Sequence, residues 1–160
     1  MKTINKGSGV FYIELEPGET EIKEKAFYHR MDIVELHLPN GLKKIGNEAF
    51  MFCYNLKKIY LPSSVKELGH SIFYNINHVE VFYEGTSKEF IKLVRPDVHE
   101  VSELVRGHFD SYPYYNSDGS YYKTEKRVIA FDETCPECEV VCNDGERLYY
   151  GFCNYQRKPK

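Results

Sequence analysis

Tryptophan is absent from this 160-residue chain. So is any apolar run near the ~18 residues that a membrane-spanning helix needs, and no membrane partner is expected. There is little net charge: at −3 the chain has no electrostatic footprint for nucleic acid or for anionic lipid. The basic end QRKPK (156–160) is short and reads as a solvated terminus. The opening MKTINKGSGVFYIELE carries an early lysine but no apolar core of signal-peptide length, which makes a cytoplasmic location the expectation. Catalytic signatures are missing too. The six histidines are scattered, and there is no His-Glu-x-x-His, Gly-x-Ser-x-Gly, glycine-rich phosphate loop or EF-hand. A non-enzyme is expected.

Cysteine is scarce until the last 26 residues, where four of the five fall. An odd count without an export signal favours reduced thiols or a metal site over a disulfide scaffold. Cys135-Pro-Glu-Cys138 has knuckle spacing, and Cys142 and Cys153 would complete four thiolates for a structural zinc. The alternative is packing, since Cys142 lies in an alternating segment where a small buried residue fits. No other cofactor is expected.

What the chain does have is self-similarity. KKIGNEAF (43–50) returns as KELGHSIF (66–73). At a shift of 23, Ile22, Ile45 and Leu68 fall in one column, and Phe27, Phe50 and Phe73 in another, preceded by Ala26, Ala49 and Ile72. Ile33, Leu56 and Val79 align, as do Ile13, Leu36 and Ile59, then Leu15, Leu38 and Leu61. A period in the low twenties is the sign of a solenoid, because one such unit cannot bury its apolar face alone and stacked units can. In each copy a segment such as LHLP or IYLP alternates inward and outward and reads as a strand, ended by Pro39 or Pro62. A helical turn should follow, placing Ala49, Phe50 and Cys53 on one face. Gly46 and Gly69 stand where a tight turn or a close backbone approach is needed.

The pattern L-x-x-I-x-L-P-x-x-[VL]-K-x-[IL]-G-x-x-[AI]-F-x-x-[CI] resembles the BspA-type leucine-rich repeat family over residues 11–85. The first copy departs from it at Glu16, Lys23 and Arg30, in the places of Pro, Gly and Cys; the last departs at Ile72 and Gly85. Terminal copies have one neighbour only, so such departures are expected. VFYEGTSKEF resembles the exit segment common at the end of such arrays, and VVCNDGE a closing strand. The fold class expected is an α/β repeat: a short solenoid with a parallel strand ladder over 1–94, and a C-terminal helical and β-hairpin cap, or small subdomain, over 95–160. Thr86 and Glu89 have capping-box spacing for a helix ended before Pro96, and Asp97 and Glu100 repeat it for a second helix stopped at Gly107. Asp118-Gly119 and Asp144-Gly145 mark two hairpin turns.

The outward strand positions are the candidate binding residues. At 23-residue spacing Glu14, His37, Tyr60 and Tyr83 form one exposed row, with Tyr12, Glu35, Lys58 and Val81 beside it. Exposed Tyr offers large contact area with a polar tip; ordinary solvated strand residues are the alternative. Tyr114 and Tyr115, within the run Tyr112–Tyr122, are a second candidate surface, against local aromatic packing in the cap. Substituting Tyr60 and Lys58 together is expected to weaken binding with little change in melting temperature. The function implied is a non-catalytic binder or inhibitor of another protein, as a phage or mobile-element protein blocking a host enzyme would be. A host-contact or adhesion-type surface protein and a self-assembling structural protein are the alternatives.

Overall fold

A computed structural model describes residues 1–76, 78–94, 127–129 and 138–150, with the backbone alone described at 127–129, 138, 149 and 150. The chain opens with an antiparallel pair, β1 (Lys2–Asn5) and β2 (Val10–Glu14), joined by a turn through Gly7 and Gly9. From there each repeat contributes two strands. A two-residue strand, β3 (Glu21–Ile22), is followed by β4 (Glu35–His37); the next copy gives β5 (Lys44–Ile45) and β6 (Lys58–Leu61), the third β7 (Glu67–Leu68) and β8 (Val79–Tyr83). Strands β2, β4, β6 and β8 stack in parallel, and so do β3, β5 and β7 in a second, narrow sheet. The result is a β-solenoid of about three turns, its large sheet continued by β10 (Cys138–Cys142), β11 (Arg147–Tyr150) and β9 (Arg127–Ile129).

The repeat columns are the core. Ile22 and Ile45 are buried and pair in register with Leu68 in the narrow sheet. The rings of Phe27, Phe50 and Phe73 stack at centroid spacings of 5.6 and 5.8 Å, one per coil. Ile33, Leu56 and Val79 are buried beneath the large sheet. A row of apolar groups on one coil is thus covered by the next, as stacking requires.

The segment carrying each Phe is not the helical turn expected from its spacing. Lys25 and His29, Glu48 and Phe52, Ser71 and Asn75 all take left-handed φ, between 54° and 62°. A left-handed residue every fourth position cannot propagate an α-helix; it turns alternate N–H groups along the solenoid axis instead. Lys25, Phe27 and His29 donate to the carbonyls of Asn47, Ala49 and Met51 on the next coil, and Glu48, Phe50 and Phe52 to those of His70, Ile72 and Tyr74, all at 2.9–3.0 Å. The helix turn is therefore replaced by a third hydrogen-bonded wall, and within the solenoid the α/β repeat is corrected to an all-β coil.

Gly46 and Gly69 mark close approach. A Cβ on Gly46 would lie 2.5 Å from the Glu24 nitrogen, and one on Gly69 2.5 Å from the carbonyl carbon of Gly46, each time on the preceding coil. Lys23 holds the same place on the first coil and is exposed, because no described coil precedes it. The departures of the first copy follow from that position. Ala26 is exposed where Ala49 is buried, and Arg30 replaces a buried Cys with an Asp32 ion pair at 2.7 Å.

The C-terminal end is closed by α1 (Ser87–Val94), the expected helix, whose Phe90, Ile91 and Val94 are buried. The capping box forms: the Glu89 carboxylate accepts from the Thr86 N–H at 2.8 Å, and the Glu89 N–H donates to the Thr86 hydroxyl at 3.3 Å. Asp144, in the β10–β11 turn, accepts from the N–H and the hydroxyl of Ser87 at 2.9 and 2.8 Å, tying the hairpin to the helix start. That hairpin turn at Asp144-Gly145 is as expected, and β10 closes the ladder by pairing in parallel with β8. The second expected helix, at Asp97–Gly107, and the Asp118-Gly119 turn lie outside the described residues.

Candidate functional site

The outward face of the large sheet carries one continuous row of rings. Strand pairing places Tyr12 beside His37, His37 beside Tyr60 and Tyr60 beside Phe82. Their rings stack at 4.0, 4.1 and 4.8 Å with interplanar angles of 4°, 7° and 14°. These spacings match the separation of neighbouring strands, ~4.8 Å. The ring faces are spent on one another, and the edges stand out from the sheet. Val141 of β10 continues the row beside Phe82. Tyr12 is 40% exposed; His37, Tyr60, Phe82 and Val141 are half-buried.

A charged row runs alongside. Glu35, Lys58, Glu80 and Glu139 are successive partners across β4, β6, β8 and β10. His37 Nε2 lies 2.6 Å from Glu35 Oε1, which fixes the imidazole plane within the stack, and Lys6 Nζ sits 5.7 Å over the Tyr12 ring. Arg147 binds Glu139 at 2.6 Å. On the other side of the rings, Tyr60, Phe82 and Val141 wall an open trough completed by Ser63, Glu84 and Asn143.

This register corrects the rows read at a uniform shift of 23. Phe11, not Ile13, pairs with Leu36, because the link from β2 to β3 is two residues longer than those from β4 to β5 and β6 to β7; Phe11 to Ile22 spans 11 positions, Leu36 to Ile45 nine. Tyr12 therefore takes the place assigned to Glu14, and Glu35 and Lys58 form the adjoining row with Glu80. At β8 the slip is one residue, which exchanges the two faces of the strand. Tyr83 and Val81, expected outside, are buried at 4% and 2% exposure, and Phe82 and Glu80 stand outside instead. The Tyr83 ring packs edge-on against Phe90 at 5.3 Å, and burial, with the charges of Glu89 and Cys142, pushes its hydroxyl up to about 12. Phe82 and Val141 are the face residues that sequence reasoning missed. Tyr60 is also more than a surface group, since it stacks on both sides; little change in melting temperature is no longer expected on its removal.

The cysteines go elsewhere. Cys53 is buried and donates its thiol hydrogen to the Phe27 carbonyl at 2.9 Å, with burial raising it to about 11; Cys142 is buried in β10, raised by burial to about 12. These are packing thiols, not nucleophiles. Cys138 and Cys142 lie at opposite ends of one strand, about 13 Å apart at ~3.3 Å per residue. Two ligands of one zinc must bring their sulfurs within about 4 Å at Zn–S bonds of ~2.3 Å. A single site using all four cysteines is therefore excluded. Cys135, Cys153, Tyr114 and Tyr115 lie outside the described residues, and among those described no three His, Cys, Asp or Glu side chains gather as a metal site.

Residues 7–92, just over half of the chain, match the family described as the BspA type Leucine rich repeat region (6 copies). The chain belongs to the BspA-type leucine-rich repeat family. No curated protein and no solved structure matches it. Leucine-rich repeat modules generally mediate protein interactions, and their solenoids are typically non-catalytic scaffolds. In this BspA-type solenoid the strand ladder supplies an uninterrupted outward face across five strands, from β2 to β10.

Proposed function

We propose that the chain is a non-catalytic protein-binding module that engages its partner through the outward face of the large sheet. The row Tyr12, His37, Tyr60, Phe82 and Val141 carries this reading: five apolar or aromatic side chains, partly exposed and in line, bordered by the charged row Glu35, Lys58, Glu80 and Glu139. Aromatic groups held rigidly against one another lose little entropy on binding, which is what a recognition strip needs. Binding by occupancy suffices to block a partner enzyme, so inhibition is the form of action we infer, in the cytoplasm.

The test is capture by the immobilised full chain from a lysate of its native cells, beside a Tyr12→Ala/Lys58→Glu variant. A stoichiometric complex that falls at least tenfold in the variant, with circular dichroism unchanged, supports the reading; equal capture refutes it. Added in stoichiometric amounts, the chain should then reduce the captured partner's activity.

A further inference from the structure

The occupant of this face can be narrowed by its dimensions. The row crosses five strands, about 19 Å at ~4.8 Å per strand. It is one side chain wide, and it runs across the strands. On an α-helix, apolar residues at i, i+3/i+4 and i+7 recur about every 5.3 Å along the axis. Against ring spacings of 4.0, 4.1 and 4.8 Å this drifts by about 3 Å over three intervals, within side-chain reach. An extended segment repeats a side of the chain every ~6.7 Å and loses register after two or three strands. The trough beside Tyr60, Phe82 and Val141 is open enough, at about 580 Å³, to take side chains along its length.

Charge decides the flanks. Glu80 of β8 stands on one side of the ring row, and Glu84, the residue that follows the end of β8, lines the trough on the other. Neither has an ion-pair partner among the described residues, and Glu84 takes only a 3.4 Å hydrogen bond from the Ser63 N–H. Glu14 flanks Tyr12 in the same way on β2.

We propose that this face receives one amphipathic α-helix of a partner protein, its apolar stripe against Tyr60, Phe82 and Val141 and basic residues on both flanks, against Glu80 and Glu84. This rests on the sheet face being the binding surface. A helix of about 13 residues spans the row at 1.5 Å per residue.

The test uses four synthetic 18-residue peptides and fluorescence anisotropy against the full chain. Three share one leucine stripe at helical spacing, flanked by Lys, by Gln or by Glu; the fourth has the Lys peptide's composition with the stripe scrambled. The Lys-flanked helix should bind at least tenfold tighter than the Glu-flanked and scrambled peptides. Its affinity should fall about tenfold in Glu80→Gln/Glu84→Gln, a surface change that leaves the core untouched, and further in Val141→Lys. Equal binding of the scrambled peptide reduces the effect to charge attraction and overturns the proposal, as does preference for Glu flanks or no binding by any peptide. If these outcomes arise while lysate capture still depends on Tyr12 and Lys58, the helix proposal alone falls and the face remains the binding site.

Discussion

Replacing Gly69 by alanine adds one methyl group at the tightest point between coils. Its Cβ would lie 2.5 Å from the carbonyl carbon of Gly46, 2.7 Å from the Asn47 Cα and closer still to the Asn47 nitrogen. These are backbone atoms, so no side chain can swing aside, and the coils must separate by several tenths of an ångström or more. The Gly69 N–H bond to the Ile45 carbonyl, 2.7 Å, stretches in the process. Overpacking costs about 1–3 kcal/mol, and a rigid obstacle puts this site at the upper end. A weakened hydrogen bond adds up to ~1 kcal/mol, and the stiffer unfolded chain returns ~0.4–1 kcal/mol. The net loss expected is about 3 kcal/mol, or roughly 6–12 °C in melting temperature at this chain length. Lys23→Ala is the control, because it changes the same repeat position where no described coil precedes it; its effect should stay within ~0.5 kcal/mol. Urea unfolding followed by circular dichroism reads both. A Gly69→Ala loss below about 1 kcal/mol, or equal losses in the two variants, would falsify the coil-to-coil contact.

Left-handed backbone at His29, φ 57°, predicts that His29→Val is less stable than His29→Gly by about 1–2 kcal/mol, read from urea midpoints; parity would deny that conformation. Acid should weaken the C-terminal closure. Hydrogen bonds from the Thr86 N–H and hydroxyl hold the Glu89 carboxyl below its usual 4.5, and at Asp144 burial pulls upward but the bonds from Ser87 outweigh it and leave it below 3.8. With depressed folded values, the unfolded chain takes up protons first, so this stability is complete above the ordinary carboxylate range and drains away as pH falls below about 4. Glu89→Gln removes one of these groups, and its urea midpoint should depend less steeply on pH between about 5 and 3; an unchanged slope would count against the capping box as an acid-sensitive element.

The core was legible where the coil is rigidly periodic. Ile22, Phe27 and Ile33 each recur at 23, since the narrow sheet and the glycine contacts allow no change of length between them. Register on the large sheet was not legible, because it depends on links whose length varies freely at the surface. Two extra residues between β2 and β3, in a loop that turns at Gly18 with φ 86°, leave every buried residue buried while changing which outward residue meets which. The slip at β8 is harsher. In VEVFY the period of two sets Glu80 and Phe82 on one face and Val79, Val81 and Tyr83 on the other, but a uniform shift of 23 from Tyr60 names Tyr83 as the outward ring and overrides that signal. Tyr83 goes inward because Phe90 of α1 closes over that end of the core. The helical turn was misread for another reason. Ala49, Phe50 and Cys53 do share a buried side, and a spacing of four residues cannot tell a helix from tight turns linked by left-handed residues.

The ring row serves the sheet as well as any partner, and the two roles separate by position. Tyr60 stands between His37 at 4.1 Å and Phe82 at 4.8 Å, whereas Tyr12 has, among the described residues, a single ring stacked on it, His37 at 4.0 Å. Each aromatic pair contributes about 0.5–1.5 kcal/mol beyond burial. Tyr60→Ala therefore gives up two pairs and Tyr12→Ala one, and Tyr12 is already 40% exposed. Tyr60→Ala should be less stable than Tyr12→Ala by about 1 kcal/mol, with Tyr60→Phe close to the parent protein; thermal unfolding of the three variants reads the order. Equal losses for Tyr12 and Tyr60 would mean that the rings do not stack as one row, and a partner helix would then have no continuous ridge to follow.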